Sequence, residues 1–439
     1  MRTLYRILFW VLFWLSAPYY FWKMWRRGNW RADFRQRFGR YDGKLKQALT
    51  NRHVVWLHAV SVGEVRMLVP LIRAMELKAP NLKLVLSTTT RTGMDELQRK
   101  FPSHIQKIYY PLDFASVVRR ALSTLNPEVV VLAEAEIWPN FLWAARHRCI
   151  PVVLVNARVS ARSFRGYCLL VWIFRPIFHS LAAVGAQDEK DAEKLRRLGC
   201  RPERIHLMGS MKFDAARVDE RRLLDVPALL KQLGVPENAQ LLVGGSTHKG
   251  EESLLAAAYK NLKARFPDLF LVVAPRHFER GKEVGRALKE QKIRYVYRSQ
   301  VTAGRVFEPG SVECLLVNTT GELKFFYEAA TVIFVGKSLT AKGGQNPIEP
   351  GALGKAMVFG PNMQNFESIA AAFVLGNGAV QVQNPAELEK TLGDLLADEG
   401  RRQTLGANAL QVVEQNKGAL EKTVDMILEQ IPPETVVLG

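Results

Sequence analysis

Cysteine is scarce in this chain of 439 residues: Cys149, Cys168, Cys200 and Cys314 are widely spaced and none forms a C-x-x-C pair. That leaves no disulfide framework and no cysteine zinc site, and it reads as a reduced, cytoplasmic chain. Acidic residues are also few, 42 Asp and Glu against 61 Lys and Arg, for a net charge of +19. The partners of such a chain are anionic: nucleic acid, acidic lipid or a phosphorylated substrate. There is no D-x-D pair, so a metal-bridged sugar-diphosphate site has no support. H-E-x-x-H, G-x-S-x-G, G-x-G-x-x-G and the G-x-x-x-x-G-K-[ST] loop are missing too. The commonest zinc-protease, serine-hydrolase, dinucleotide and P-loop readings go with them. No short repeat or low-complexity tract stands out.

One long apolar run is present. Ile7 to Trp22 is broken only by Ser16 and Pro18 and is crowded with Phe9, Trp10, Phe13, Trp14, Tyr19, Tyr20, Phe21 and Trp22. As a helix it would be roughly 24 Å long, short of the roughly 30 Å hydrocarbon core of a bilayer. It therefore either barely spans or lies in the interface, where Tyr and Trp are favoured. No small-residue cleavage site follows it, so it reads as an anchor rather than a removed signal. Residues 1–46 carry eleven basic side chains, including Lys23, Arg26, Arg27 and Arg31, against Asp33 and Asp42. Charge of one sign beside the most apolar segment suits an acidic membrane surface, and the positive-inside rule puts the rest of the chain on the cytoplasmic side.

Beyond residue 50, short apolar runs alternate with helical patterns, the rhythm of a parallel sheet covered on both faces. The predicted strands are His53–Leu57, Leu82–Ser87, Ile108–Tyr110, Val129–Ala133, Val152–Val155, Ala182–Ala186 and Ile205–Met208 in the first half. In the second half they are Leu241–Gly245, Leu269–Ala274, Ile293–Val296, Cys314–Val317, Val332–Val335, Ala356–Phe359 and Ala379–Val382, and residues 385–429 read as terminal helices. Tyr167–Leu181 is apolar but too short to span, and is expected to be a buried helix. The pattern lapses into charged, loop-like sequence from Lys212 to Pro227. The expected organisation is an anchor with its basic flank at 1–30, a Rossmann-like domain at 31–215 and a second at 225–439, facing each other across a cleft.

Several stretches place chemistry at strand ends, where open α/β sheets bind ligands. His58-Ala59-Val60-Ser61-Val62-Gly63-Glu64 is a turn of small residues between a strand and an amphipathic helix. Glu64 falls in the first helical turn, where the dipole favours a carboxylate; it serves there as a cap, a general base, or both. Glu134-Ala135-Glu136 follows another strand, either as helix-start acids or as carboxylates in the ligand crevice. Gly209-Ser210-Met211-Lys212 closes the first half, with Lys212 beside the linker. Gly244 to Glu252 is a Gly-rich strand-to-helix turn whose Ser246, Thr247 and His248 could offer N–H groups to phosphate, or merely start a helix. Pro275 and Arg276 end a buried strand. Thr320, Gly321 and Glu322 start a further helix. In Gly343 to Glu349, Asn346 suits N-cap, Pro347 N1 and Glu349 N3, a capping box that could also hold ribose hydroxyls.

Together these stretches resemble the Kdo transferases, which attach 3-deoxy-D-manno-oct-2-ulosonic acid to a lipid A precursor. The matching segments are Ser61 to Glu64, Glu134 to Pro139, Asn156 to Ser160, Gly209 to Asp214, Ser246 to Glu252, Pro275 to His277, Gly321-Glu322 and Gly343 to Glu349, in order along nearly the whole chain. The resemblance implies a GT-B glycosyltransferase fold, CMP-Kdo as donor, an inverting transfer, no metal or other cofactor, and a place at the cytoplasmic face of the inner membrane. It implies that Glu64 is the catalytic base and that Glu134 and Lys212 stabilise the transition state. Pro275, Arg276, Thr320, Gly321, Glu322, Asn346, Pro347, Ile348 and Glu349 match its CMP-binding segments. Gln345 stands where many members have His, Lys337 where Gly is common, and Thr320 where some have Met; these touch the donor surroundings. Two alternatives stay open on the residues alone. One is a membrane-surface GT-B enzyme using a UDP-sugar and a lipid acceptor. The other is a nucleic-acid-binding protein, against which stands the clustering of charge at the anchor.

Overall fold

The computed structural model describes residues 2–26, 33–134, 136–214, 224–302 and 304–436. Arg27, Arg31, Ala135 and residues 215–223 of the predicted linker lie outside the described residues, as do the side chains of Tyr20, Phe21 and Lys23. The chain divides into two compact units: the described residues up to 214 together with those from 417 onward, and residues 224–416.

The first unit is built on a seven-stranded parallel sheet: β1 (Val54–His58), β2 (Lys83–Thr88), β3 (Gln106–Tyr109), β4 (Pro127–Ala133), β5 (Val152–Ala157), β6 (Ala183–Ala186) and β7 (Ile205–Leu207). Their order is β3-β2-β1-β4-β5-β6-β7. All five residues of β1 are buried because both faces are covered. Trp56, Val85, Val130 and Leu154 pack on one side, and Val55, Leu57, Leu86 and Val131 on the other. Each predicted strand of this half is present, shifted by at most two or three residues at its ends.

The second unit repeats the plan with β8 (Leu241–Thr247), β9 (Phe270–Pro275), β10 (Tyr295–Tyr297), β11 (Cys314–Leu316), β12 (Val332–Val335), β13 (Met357–Phe359) and β14 (Val380–Gln381), in the order β10-β11-β9-β8-β12-β13-β14. Gly245 on β8 is required by packing, since a Cβ there would lie 2.0 Å from the hydroxyl of the buried Tyr327. Both sheets reverse direction of growth beside their first strand, the topology that opens a crevice at the carboxyl ends.

Two expectations are corrected and a third is narrowed. The second domain does not run to the C-terminus: the helix Ala419–Leu428 packs on Val62–Lys78 of the first unit. Lys78 bonds Asp425, Asn81 bonds the Thr435 carbonyl, and the Asp214 carboxylate accepts the N–H groups of Gly418 and Leu420 at 2.8 and 3.0 Å. Amphipathic pattern makes that helix; these distant partners choose its place. Tyr167–Leu181 is not one buried helix but two, Ala161–Leu169 and Val171–His179, and their junction is exposed, Leu169 to 81%. The helix Arg2–Arg26 exists, yet among the described residues no helix is long and apolar enough to cross a membrane. One stripe, Tyr5, Phe9 and Phe13, packs on the unit: Phe9 and Phe13 meet Phe114 edge-on, and Tyr5 meets Trp143. Leu8, Trp10, Leu12, Trp14, Leu15 and Trp22 are exposed.

Replacing Asp214 by Ala removes both acceptors at the start of Ala419–Leu428. It is expected to cost about 0.5–2 kcal/mol, the usual loss for a helix cap, read as a lower denaturant midpoint. An unchanged midpoint would mean that apolar packing alone holds this helix.

Candidate active site

β1 hands the chain to the helix Val62–Lys78 through Ala59, Val60 and Ser61. His58 stays inside the sheet, fully buried, its Nδ1 against Ser87 and its ring 3.8 Å from that of Tyr110; burial pushes its pKa down to about 3, so it remains neutral. Ser61 is the N-cap, and a full capping box forms: its hydroxyl oxygen accepts the Glu64 N–H, while the Glu64 carboxylate accepts the N–H groups of Val60 (2.9 Å) and Ser61 (3.3 Å) and the Ser61 O–H (2.6 Å). The cap predicted for Glu64 is therefore real. A carboxylate has about four acceptor sites, so these three bonds leave room for one further donor. Gly63 differs from expectation. It has no positive φ and a Cβ there would meet nothing closer than 3.8 Å, so the turn does not require glycine. Its missing side chain instead leaves the surface beside Glu64 clear.

β4 ends next to β1. Glu134 follows it in the left-handed conformation (φ 58°), and its N–H continues the ladder to the Val155 carbonyl at 3.0 Å. The next helix begins only at Pro139, so neither Glu134 nor Glu136 is a helix-start acid. Asp113 performs that task from outside, accepting the N–H groups of Asn140 (3.0 Å) and Phe141 (2.8 Å). Both glutamates are half-buried. Burial raises the pKa of Glu134, the Glu64 charge raises it further, and Lys212 and Arg158 oppose the rise. Glu136 is raised by burial and by Glu64, against a hydrogen bond from Trp138 Nε1 at 3.2 Å. Lys212, in the turn after β7, is lowered by burial; Glu134 and Glu64 support its charge and Arg158 opposes it.

Glu64, Glu134 and Lys212, predicted from three separate strand ends, thus feel one another's charge. The cluster also contains Glu136 and Arg158, which sequence reasoning did not assign. Arg158 directly follows β5, the strand beside β4, and its place in the Asn156-to-Ser160 stretch was the available signal. A surface hollow of about 610 Å³, lined among others by Lys46, Arg52, His53 and Glu128, lies at the opposite edge of this sheet, where β1 and β4 begin.

In the second unit the predicted donor residues also come from strand ends. Arg276 directly follows β9; its N–H bonds the Thr247 carbonyl at 3.0 Å, joining it to the end of β8, and its side chain is exposed. Glu322 precedes the helix Leu323–Ala329 and is paired with Arg298 at 3.0 Å and with the hydroxyl of Thr319; Gly321 is left-handed (φ 84°). The capping box at Asn346 is corrected. The short helix is Ile348–Ala352 with Pro347 at N-cap. Asn346 Oδ1 accepts the Ile348 N–H at 3.1 Å, and its amide donates to Glu349 Oε1 at 3.2 Å, because Pro347 begins the turn one residue late. The Ser246-Thr247-His248 turn is not an open anion cradle. The buried Glu251 accepts the His248 N–H (2.8 Å) and those of Lys337, Ser338 and Leu339 (2.6–2.9 Å), while the Thr247 hydroxyl bonds Glu252 at 3.0 Å. The chain's own acids neutralise that helix start and clamp the turn after β8 to the turn after β12.

The charge coupling around Lys212 can be read directly. Removing a negative neighbour disfavours the ammonium, and removing a positive one favours it. In Glu134→Gln the Lys212 titration, followed by NMR of dimethylated lysine, is therefore expected at lower pH, and in Arg158→Gln at higher pH. Titrations that do not move would separate these groups.

Comparison with known proteins agrees with this geometry. The profile of the 3-deoxy-D-manno-octulosonic-acid transferase (kdotransferase) family matches residues 32–215. A 3-deoxy-D-manno-octulosonic acid transferase of Bordetella pertussis is 33% identical over 425 residues, 94% of this chain and 96% of that one. The Haemophilus influenzae transferase is 30% identical over 376 residues, 85% and 86% of the two chains. Among solved structures, a glycosyltransferase of Rickettsia africae shares the fold, with a TM-score of 0.59 at 13% identity over 87% of this chain and 99% of that one. Two doubly wound units of the GT-B class, sequence identity along almost all of the chain, and the matched segments at the strand ends lead to one conclusion: the chain belongs to the Kdo transferase family and is a glycosyltransferase.

Proposed function

We propose that this glycosyltransferase moves Kdo from CMP-Kdo to a hydroxyl of a lipid A precursor at the cytoplasmic face of the inner membrane, with no metal. One observation carries the assignment of residues: Glu64, Glu134 and Lys212 converge on the carboxyl edge of the first sheet, with Glu64 held by its capping box and still able to accept a proton. In the proposed step the acceptor oxygen attacks the anomeric carbon of Kdo while Glu64 takes its proton. The bond from that carbon to the phosphate oxygen breaks, CMP leaves, and a single displacement inverts the anomeric centre. Glu134 faces positive charge growing on the sugar, and Lys212 the negative charge on its carboxylate or on the departing phosphate. Pro275, Arg276, Thr320, Gly321, Glu322, Asn346, Pro347, Ile348 and Glu349 hold the nucleotide, with Arg276 as the exposed cation for its phosphate. The Ser246-to-His248 turn serves as framework for that site, since the Thr247 hydroxyl and the His248 N–H are engaged within the chain. The helix Arg2–Arg26, apolar on nearly every side and packed along one stripe, rests in the lipid interface.

Mass spectrometry of products from CMP-Kdo and a panel of UDP-sugars, with a lipid A precursor, tests the donor; turnover with a UDP-sugar alone would overturn it. Glu64→Gln tests the base. Glutamine at this position still completes a capping box, so the thermal midpoint should hold while turnover falls at least about 100-fold. Near-normal turnover would remove Glu64 from the chemistry. Arg276→Ala should raise the donor KM or lower kcat, with stability unchanged because the side chain is exposed; unaltered donor kinetics would move the phosphate partner elsewhere.

A further inference from the structure

The junction between Ala161–Leu169 and Val171–His179 turns four consecutive apolar side chains outward: Leu169 is 81% exposed, Leu170 41%, Val171 39% and Trp172 38%. The support beneath them is firm. Tyr167 packs against Phe174 and Phe178 with ring centroids 4.7 and 5.3 Å apart, and Ile173, Ile177 and Phe178 are buried. Water is a poor neighbour for such a run on a rigid tip, and contiguous exposed apolar surface marks an interaction site.

The charge around the tip says which neighbour suits it. Arg162, Arg165 and Arg175 are exposed on the same two helices, and between Glu136 and Asp188 the chain contains no acidic residue at all. The two helices of the tip carry arginine and no carboxylate, and the exposed acids on the helix Glu189–Leu198 packed against them, Glu189 and Glu193, are both paired with Arg196. Such a surface complements an anionic leaflet. Position agrees. The helix Pro139–His147 packs against Val171–His179 and also receives the N-terminal apolar helix, through Tyr5 on Trp143 and Arg6 Nε on Asn140 Oδ1 at 3.2 Å. Both apolar elements therefore cover the same face of the first sheet. That face also borders the carboxylates: Trp138, at the start of the shared helix, bonds Glu136.

We propose that the Leu169–Trp172 tip, with Arg162, Arg165 and Arg175, is a second membrane-contact element that enters the headgroup boundary of an anionic phospholipid leaflet. With the N-terminal helix it gives the first unit two points of attachment, which fixes its orientation where one helix would let it swivel. The carboxylate cluster is then presented to acceptors lying in the bilayer; this consequence rests on the lipid-acceptor reading above.

Exposed Cys168 beside the tip supplies the probe. With Cys149, the other exposed cysteine, changed to Ser, the full chain is labelled at Cys168 with an environment-sensitive fluorophore. It is then mixed with vesicles of phosphatidylethanolamine and phosphatidylglycerol. A blue-shifted emission, quenched by brominated acyl chains, is expected. Leu169→Ser with Leu170→Ser should weaken vesicle binding by roughly tenfold or more and leave the thermal midpoint unchanged. Arg162→Gln, Arg165→Gln and Arg175→Gln together should abolish the preference over phosphatidylcholine vesicles. A label that stays in water on vesicle-bound protein overturns the proposal. So does a blue shift that follows protein concentration without lipid, which would assign the tip to a second copy of the chain. Turnover separates this from the proposed function: product formed while the label stays in water sinks the tip alone. An inserted label without Kdo transfer sinks the reaction and leaves the tip.

Discussion

A parallel sheet returns every strand in the same direction, so all its carboxyl ends, and all the helices that follow them, meet along one edge. In this chain both faces of the first sheet are sealed by apolar side chains, and the edge is where the backbone departs from regular geometry. Glu134 follows β4 and Asn156 is the penultimate residue of the neighbouring β5, and both are left-handed, with φ of 58° and 50°. Such conformations in non-glycine residues hold strain that the surrounding ladder must support. Here the Glu134 N–H still reaches the Val155 carbonyl, so the strand carries the side chain out of the sheet without losing its backbone bond. The buried Asn156 amide beside it has no hydrogen-bonding partner among the described residues. Polar capacity is concentrated at this edge beyond what the fold itself consumes.

The electrostatics of the edge follow from the same geometry. Burial alone would drive Glu134 and Lys212 toward their neutral forms, since each loses water on one side. Each is the other's principal favourable charge, while Glu64 and Glu136 add negative and Arg158 positive potential. The shifts of Glu134, Glu136 and Lys212 therefore each depend on charges elsewhere in the cluster. Half-burial makes the charges of such a group act on one another, and on anything placed among them, more strongly than they would in water.

Much of the fold is legible in the chain because buried parallel strands announce themselves as short runs of β-branched and aliphatic residues, and every predicted run became a strand. The candidate site residues are legible where a strand end and a small-residue turn coincide, as at Ser61 to Glu64, where the capping box forms. What escaped was set by distant partners. Nothing near Glu251 in sequence tells that its carboxylate will accept N–H groups from residues 337–339. Nothing near residue 419 tells that Asp214 will hold its helix. The left-handed turn at Glu134 has no local signature, since glutamate rarely adopts it. Hydropathy failed differently at Tyr167–Leu181. It registers apolar side chains but not the medium they face, and so Leu169 and Phe178 read alike although one is exposed and the other buried.

The N-terminal helix belongs to the same compact unit as the carboxylate cluster rather than being appended to it. Tyr5 donates its hydroxyl to Asp113 Oδ2 at 2.8 Å. The same buried carboxylate caps Pro139–His147 through the Asn140 and Phe141 N–H groups. Burial raises the Asp113 pKa to about 7, and the backbone and Tyr5 hydrogen bonds oppose that rise. One acidic group therefore joins the apolar helix at the surface to the start of the helix that follows Glu134 and Glu136. If Tyr5 withdrew, Asp113 would lose one of the bonds that support its charge, and the helix start would be held by a less stable anion. Docking of the apolar helix and the start of Pro139–His147 are thus coupled through a group that touches both, without any element having to move between them.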